Sequence, residues 1–439
     1  MTNNTNIPAG YKNSPVGIIP NEWEVKKVDD IFNFISTLSY SRECLVQRDD
    51  DNGIYYIHYG DIHSLFNSEI LDLNSNKKIP CLKDELNSDK INFLNEGDLI
   101  LADASEDYEG IGKSIEIKNI GNKKITGGLH TLVLRDKSQK TVNGFRTYIF
   151  NNSIVHKSIR RIATGISVFG ISKGELSKIW LPLPPLPEQK RIAEVLSTWD
   201  AAIENLNQTL TLVRQRKKAL MQQLLTGKKR LNGFKGEWKE VRLGDVFSEI
   251  KVINDRLNEH PIMTISSKLG LVSQEDKFDK VIAGNSIHNY TMLRKGDFAY
   301  NKGNSKTYPM GCIYQLDKCN TALVPFVYIC FSPTDCVESS FYKQWFLNHG
   351  LDRQLKRIIT SGARGDGLLN VNKNDFFNLK IILPEKTEQT AISHVLLAAD
   401  KEIALLEAKL LRLREQKKGL MQVLLTGKKR LNPACDGQV

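Results

Sequence analysis

The sequence lacks any run approaching the about 18 consecutive apolar residues of a membrane-spanning helix, and its start, Met1 to Gly10, is rich in Asn and Thr rather than charged and then apolar. Both absences predict a cytoplasmic protein. Cysteine is scarce: Cys44, Cys81, Cys312, Cys319, Cys330, Cys336 and Cys435 are odd in number and include no Cys-x-x-Cys pair. They read as reduced thiols, not as a disulfide framework or a thiolate zinc site. Catalytic signatures are missing too. Gly110-Ile111-Gly112-Lys113-Ser114 lacks the leading glycine of a phosphate loop, because residue 107 is Asp. The run Gly362 to Gly367 misses the dinucleotide fingerprint and reads as a mobile loop. No Asn/Asp-Pro-Pro-Tyr/Phe tetrapeptide of an amino-methyltransferase occurs, and His58 and His63 have no third metal ligand beside them. Asp103, Glu106 and Asp107 read as solvated surface rather than a nuclease centre. No catalytic or metal-ligating residue is therefore assigned, and the chain is expected to bind and position.

What is present is enough material for several cores. The 439 residues are 41% hydrophobic and 25% charged, an ordinary globular composition about three typical domains long. The most informative feature is an internal repeat. Glu188 to Asn232 reappears as Glu388 to Asn432 with 24 of 45 positions identical, including the whole run Leu-Leu-Thr-Gly-Lys-Lys-Arg-Leu-Asn from Leu224 and from Leu424. A proline cue precedes each copy, at 181 to 187 and at Pro384. Fainter echoes pair Asn21-Glu22-Trp23 with Gly236-Glu237-Trp238, and Gly97-Asp98 with Gly296-Asp297.

Within the first copy, Ile192, Leu196, Trp199, Ile203, Leu206, Leu210 and Val213 recur in alternating steps of four and three. In the second, Ile392, Leu396, Ala399, Ile403, Leu406, Leu410 and Leu413 do the same. A sustained period of about 3.5 residues is the seam of a coiled coil. Each helix should end at Thr-Gly, with Gly227 and Gly427 in the left-handed cap conformation. An antiparallel pairing is expected, with the ammonium groups of Lys217 and Lys417 reaching water from the seam. The rest of the chain shows short strand-like runs (Ile54 to His58, Asp98 to Ala102, Thr131 to Arg135, Phe298 to Tyr300, Leu323 to Phe331) and a helical stretch from Phe341 to Ile359. The fold class is α+β. Its expected parts are a globular domain over 1–180, a helix over 181–232, a second domain over 233–383, a second helix over 384–432 and a tail over 433–439.

Lys and Arg total 61 against 50 Asp and Glu, a net +11. The two helical copies carry +5 and +4 of it. Duplicated basic helix ends suit a polyanion or a protein partner bound symmetrically.

Two α+β domains alternating with two copies of a helix ending in Leu-Leu-Thr-Gly-Lys-Lys-Arg-Leu, together with Leu-Pro-Pro-Leu-Pro-Glu-Gln-Lys-Arg-Ile-Ala at 183–193, resemble the specificity subunit of type I restriction-modification enzymes. Tyr59-Gly60-Asp61-Ile62, Gly97-Asp98-Leu99-Ile100 and Tyr300-Asn301-Lys302 add to the likeness, which covers essentially the whole chain. The resemblance implies a non-catalytic subunit with two target-recognition domains, each reading one half of a split, asymmetric site on double-stranded DNA. It further implies docking of two modification subunits, which supply S-adenosylmethionine and adenine methylation, and of two restriction subunits, which use ATP and Mg for translocation and cleavage. No cofactor is expected in this chain and no membrane partner. A helix of ~37 residues is about 55 Å long, and DNA rises ~3.4 Å per base pair, so the helix pair is expected to act as a ruler.

Side chains suited to base edges or phosphates are Tyr40, Arg42, His58, Tyr59, Lys113 and His130 in the first domain. In the second they are Lys268, Gln274, Tyr300, Asn301, Lys302, Lys306 and Arg364. The alternative reading is a coiled-coil protein-binding adaptor without DNA specificity, whose affinity for DNA would show no steep salt dependence.

Overall fold

The computed structural model describes residues 7–47, 53–66, 68–74, 79–83, 90–254, 260–267, 269–278, 284–303, 305–359 and 369–431. They form two compact units, one from 1–209 with 407–439 and the other from 210–406. Each of the two long helices, Leu186–Leu224 and Lys386–Leu424, is 39 residues long and gives one part of its length to each unit. No helix among the described residues is long and apolar enough to cross a membrane.

In the first unit a five-stranded sheet runs in the order Phe32–Ile35, Thr131–Asp136, Leu99–Ala102, Ser114–Lys118 and Ile70–Asp72. All neighbours are antiparallel except the last pair. The central strand reads Leu-Ile-Leu-Ala without polar interruption because both of its faces are covered. Leu99 and Leu101 point into the core that holds Ile192 and Leu196 of the first long helix, and Ile100 and Ala102 into a second core around Ile57, Ile62 and Ile115. A four-stranded sheet, ordered Lys124–Gly127, Ile54–Ile57, Cys81–Leu82 and Leu45–Val46, lies beyond that second core.

The second unit is built on the same plan with different strands. Its four-stranded sheet is antiparallel throughout, in the order Phe247–Glu249, Ile329–Pro333, Phe298–Asn301 and Cys312–Gln315. Phe298 and Tyr300 face the core shared with Ile392 and Leu396, and Ala299 faces the other way. Two expectations are corrected here. The run from Leu323 to Phe331 is two strands, Thr321–Val324 and Ile329–Pro333, because Pro325 has no N–H to continue a ladder and its carbonyl closes a turn onto Tyr328 N at 3.0 Å. The stretch from Phe341 to Ile359 is two helices, Ser339–Leu347 and Asp352–Ile358. His349 between them is left-handed at φ 60°, and the Gly350 backbone sits where a Cβ would come within 2.5 Å of Trp345.

The repeat explains itself in the way each unit is closed. Before each long helix comes a two-stranded ribbon: Trp180–Leu183 with Glu24–Lys27, and Lys380–Leu383 with Lys239–Arg242. Gln189 and Gln389 then close the first turn, each donating to the carbonyl of Pro184 or Pro384 at 2.8 Å. Glu188, buried, accepts from Trp23 Nε1 at 3.0 Å and from Arg430 Nε at 2.7 Å. In the second unit Glu388 accepts from Trp238 Nε1 at 2.8 Å and from Arg230 Nε at 2.5 Å. The faint tryptophan echo of the sequence is thus half of a clamp whose other half is the repeated helix ending. Gly427 and Gly227 take the left-handed conformation expected of them (φ 72° and 71°) and lie against Trp23 and Trp238.

Within each unit the helix segments run antiparallel. In the first, partners descend from Arg430 to Lys417 as Glu188 advances to Asp200; in the second, from Arg230 to Lys217 as Glu388 advances to Asp400. Of the seam residues, Ile192, Leu196, Ile203, Leu206, Leu210, Val213, Ile392, Leu396 and Leu410 are buried, and Trp199, Ile403, Leu406 and Leu413 are half-buried. The lysines depart from expectation. Lys417 is 7% exposed, its Nζ held by Asp200 and, at 2.5 Å, by Glu69, and Lys217 lies 2.5 Å from Asp400. Asp200 and Asp400 sit opposite them on the facing helix, and a carboxylate withdrawn from water requires a cation. Burial and the neighbouring Glu69 charge push Asp200 up to about 6, against the pull of Lys417.

Replacing Lys417 by Met leaves Asp200 and Glu69 facing each other without a counter-charge. The expected loss in urea unfolding at pH 7.5 is about 3–5 kcal/mol, shrinking at pH 5 as Asp200 takes up a proton. Arg216→Ala, which breaks the exposed pair with Glu402, should cost less than about 1 kcal/mol. Equal losses for the two variants would contradict a buried charge centre.

Candidate nucleic-acid interface

In the first unit the local sequence builds a rigid platform around Tyr59. The short helix Tyr59–Ser64 is capped by His58, whose Nδ1 accepts Gly60 N–H at 3.1 Å, while Asp61 reaches back to accept His58 N–H at 3.0 Å. This is a reciprocal capping arrangement, with a buried carboxylate at its centre. Asp61 is fully buried and its other oxygen accepts from Arg42 Nη2 at 2.7 Å, so the Arg42 guanidinium, 52% exposed, is presented to solvent in one orientation. Gly60 makes room for it, since a Cβ there would lie 3.0 Å from Arg42 Nη2.

The Tyr59 ring lies 4.6 Å from His58, and edge-on to His130 at 5.4 Å and to His63 at 6.1 Å. His63 is tied to Ala104 O at 3.0 Å, and His130 to Asp103 at 3.2 Å. Lys113 borders the same cleft, its ammonium donating to Phe66 O at 3.2 Å; burial holds its pKa below the ordinary lysine range. Tyr59, Gly60, His63, Ser105, Glu106, Asp107, Glu109, Gly110 and Lys113 line the cleft. Tyr40 packs edge-on against Tyr56 at 6.3 Å. Five candidates therefore converge, namely Arg42, His58, Tyr59, Lys113 and His130. The convergence brings in Asp61 and His63, which the sequence offered only as part of a family run and as a metal-ligand candidate, not as binding residues; the His58-x-x-Asp61 capping spacing was the available signal for the first.

The chemistry offered is mixed and directional. Burial, followed by the charge of Arg42, holds His58 below the usual histidine range. Its Nδ1 accepts a hydrogen bond, so the neutral ring carries its proton on Nε2. An arginine fork, the neutral imidazole of His58, a phenol and acidic acceptors suit the edges of base pairs.

The second unit holds its candidates differently. Gln274 is buried at the start of the helix Gln274–Phe278. Tyr300 is fully buried, stacked on Phe376 at 5.0 Å with its hydroxyl donating to Met310 O at 2.8 Å. Asn301 is half-buried and its Oδ1 accepts Gly303 N–H at 2.9 Å, Lys302 is half-buried with its carbonyl accepting Leu369 N–H at 2.9 Å, and Lys306 is exposed. Tyr300 and Asn301 thus shape the loop that carries Lys302 and Lys306. Lys268 and Arg364 lie outside the described residues.

Residues 20–215 match the family model described as the type I restriction modification DNA specificity domain. The duplicated α+β fold is thus joined, over 20–215, to a likeness with DNA-specificity domains. The chain is 25% identical to the putative type I restriction enzyme MjaX specificity subunit of Methanocaldococcus jannaschii, across 96% of this chain and 97% of that one. It is 22% identical to the type I restriction enzyme EcoKI specificity subunit of Escherichia coli, across 86% and 82%. The crystal structure of the type I restriction-modification S subunit from M. genitalium shares the fold, with a TM-score of 0.52 at 15% identity over 97% of this chain and 98% of that one. Along nearly its whole length the chain is similar to specificity subunits of type I restriction-modification enzymes.

The depressed His58 pKa has a measurable sign. The folded state resists protonating this ring, so the stability it contributes is complete above the ordinary value of 6.5 and declines as pH falls below it. In a pH titration of histidine-labelled protein by NMR, the His58 midpoint should lie below 6.5 and rise in Arg42→Ala. A midpoint unmoved by that substitution would contradict the contact between the two side chains.

Proposed function

We propose that this chain is the non-catalytic DNA-reading subunit of a type I restriction-modification complex acting in the cytoplasm. Each unit reads one half of a bipartite, asymmetric site on double-stranded DNA. The long helices dock two modification subunits, which bring S-adenosylmethionine and adenine methylation, and the restriction form adds two subunits that use ATP and Mg for translocation and cleavage. The observation that carries the reading is the cleft of the first unit, where five side chains suited to DNA are gathered and two of them, Arg42 and His58, are fixed by the buried Asp61. The match of residues 20–215 to the specificity-domain model and the relatives' names support it further. Docking is supported by large apolar side chains left exposed on the long helices: Leu212 and Leu405 in the second unit and Leu411 in the first, each at least 60% exposed.

The test is single-molecule methylation sequencing of DNA from cells expressing this chain with its modification subunit. The expected result is an N6-methyladenine motif of two defined parts separated by unspecified bases, lost when only this chain is deleted. Arg42→Ala combined with Tyr59→Ala should relax or abolish one part and leave the other readable. A methylation pattern indifferent to deletion of the chain would overturn DNA reading and favour the adaptor reading.

A further inference from the structure

The loop that follows the helix Ser153–Ile162 carries an isoleucine, Ile166, that is 97% exposed, with Val168 two residues on at 53%. Scattered apolar residues on a surface are ordinary, but this pair stands on a rigid support. Thr164 and Gly170 exchange both backbone hydrogen bonds, at 3.0 and 2.8 Å, and close a five-residue loop at its root. Gly165 takes φ 137° at the start of that loop, where a Cβ would lie 1.9 Å from Val168 O, so the turn requires glycine. Phe169–Gly170 pairs antiparallel with Ala104–Ser105, and Phe169 packs edge-on against Tyr108 at 5.0 Å. Tyr108 is in turn fastened by its hydroxyl to Arg160 O at 2.6 Å. Nothing in this scaffold uses Ile166 or Val168 as packing, yet the scaffold holds them out from the surface.

The position of the loop indicates its partner. The strand Ala104–Ser105 that anchors it also accepts His63 through Ala104 O and contributes Ser105 to the cleft around Tyr59. On the other side, the helix that leads into the loop bears Lys157 and Arg161, with Arg160 paired to Glu109. The finger is thus continuous with the cleft and flanked by cations, as a duplex-binding element would be. Its apolar tip is one Ile and one Val, far short of the roughly 800 Å² per partner of a stable protein interface, whereas one or two apolar side chains suffice to wedge a base step open.

We infer that the loop from Thr164 to Gly170 is a finger that inserts Ile166, backed by Val168, into a base step of the half-site read by the first unit. This rests on the DNA-reading function proposed above and adds to it a site of mechanical readout, in which easily unstacked steps are preferred at a position without base-edge contacts. Ile166 and Val168 are surface-exposed, so shortening their side chains should leave the fold intact.

The test uses the full chain in complex with its modification subunit, on a duplex bearing the motif found by methylation sequencing. 2-Aminopurine is placed in turn at positions in and beside the first half-site, excluding the methyl-acceptor adenine. Wild type should raise the fluorescence several-fold at one step. Ile166→Ala should abolish that rise and weaken binding to the motif by about ten-fold, with binding to a scrambled duplex unchanged. A variant with wild-type affinity and wild-type fluorescence would overturn the wedge. So would a variant that keeps its DNA affinity and instead loses the modification subunit, which would mark the finger as a protein contact. A wild-type complex that fails to distinguish motif from scrambled duplex would instead overturn DNA reading itself.

Discussion

The structure depends on a carboxylate that cannot be left alone. Glu188 and Glu388 are each buried at the head of a long helix, with 2% and 1% of their surface exposed. An unpaired charge in that position would cost several kcal/mol. In each unit the cation comes from the tail of the other long helix, Arg430 or Arg230, and a tryptophan from the ribbon before the helix completes the set. Asp200 with Lys417 repeats the requirement three turns further along, and the more exposed pair of Asp400 with Lys217 holds the same place in the second unit. Each unit is therefore finished by chain about 200 residues distant in sequence, and one register satisfies all four carboxylates.

The same device recurs at the proposed reading surface on a smaller scale. Asp61 is a buried carboxylate that caps its own helix and aims Arg42. Fixing the guanidinium and the neighbouring rings before DNA arrives removes much of the ordering cost that a flexible surface would meet on binding. The finger bearing Ile166 continues that principle with backbone ladder and aromatic packing in place of ion pairs.

How much of this was legible in the sequence follows from the range of the interactions. The α+β class, the duplicated helices and their glycine caps were readable because heptad spacing and repeat identity are local patterns. The tryptophan echo was visible, but its purpose was not, since Trp23 meets Arg430 only through Glu188. Lys417 was expected at the water because a seam lysine ordinarily extends its stem outward, and the Asp200 opposite it is evident only in the antiparallel register. Among binding candidates, residue type picked out Arg42, His58 and Tyr59, which the fold gathers around one platform, yet gave no warning that Tyr300 would be spent on the core against Phe376. The strand and helix that divided in two did so at Pro325 and at His349-Gly350.

The central claim is that each unit reads its own half of one DNA site. The most direct measurement is methylation sequencing with a chimera in which the first unit's segment between the ribbon strands Glu24–Lys27 and Trp180–Leu183 is exchanged for that of a relative with a different motif. The account predicts a new motif in which one part is replaced and the other is retained. Replacement of both parts, or of neither, by a complex that still methylates DNA would contradict it.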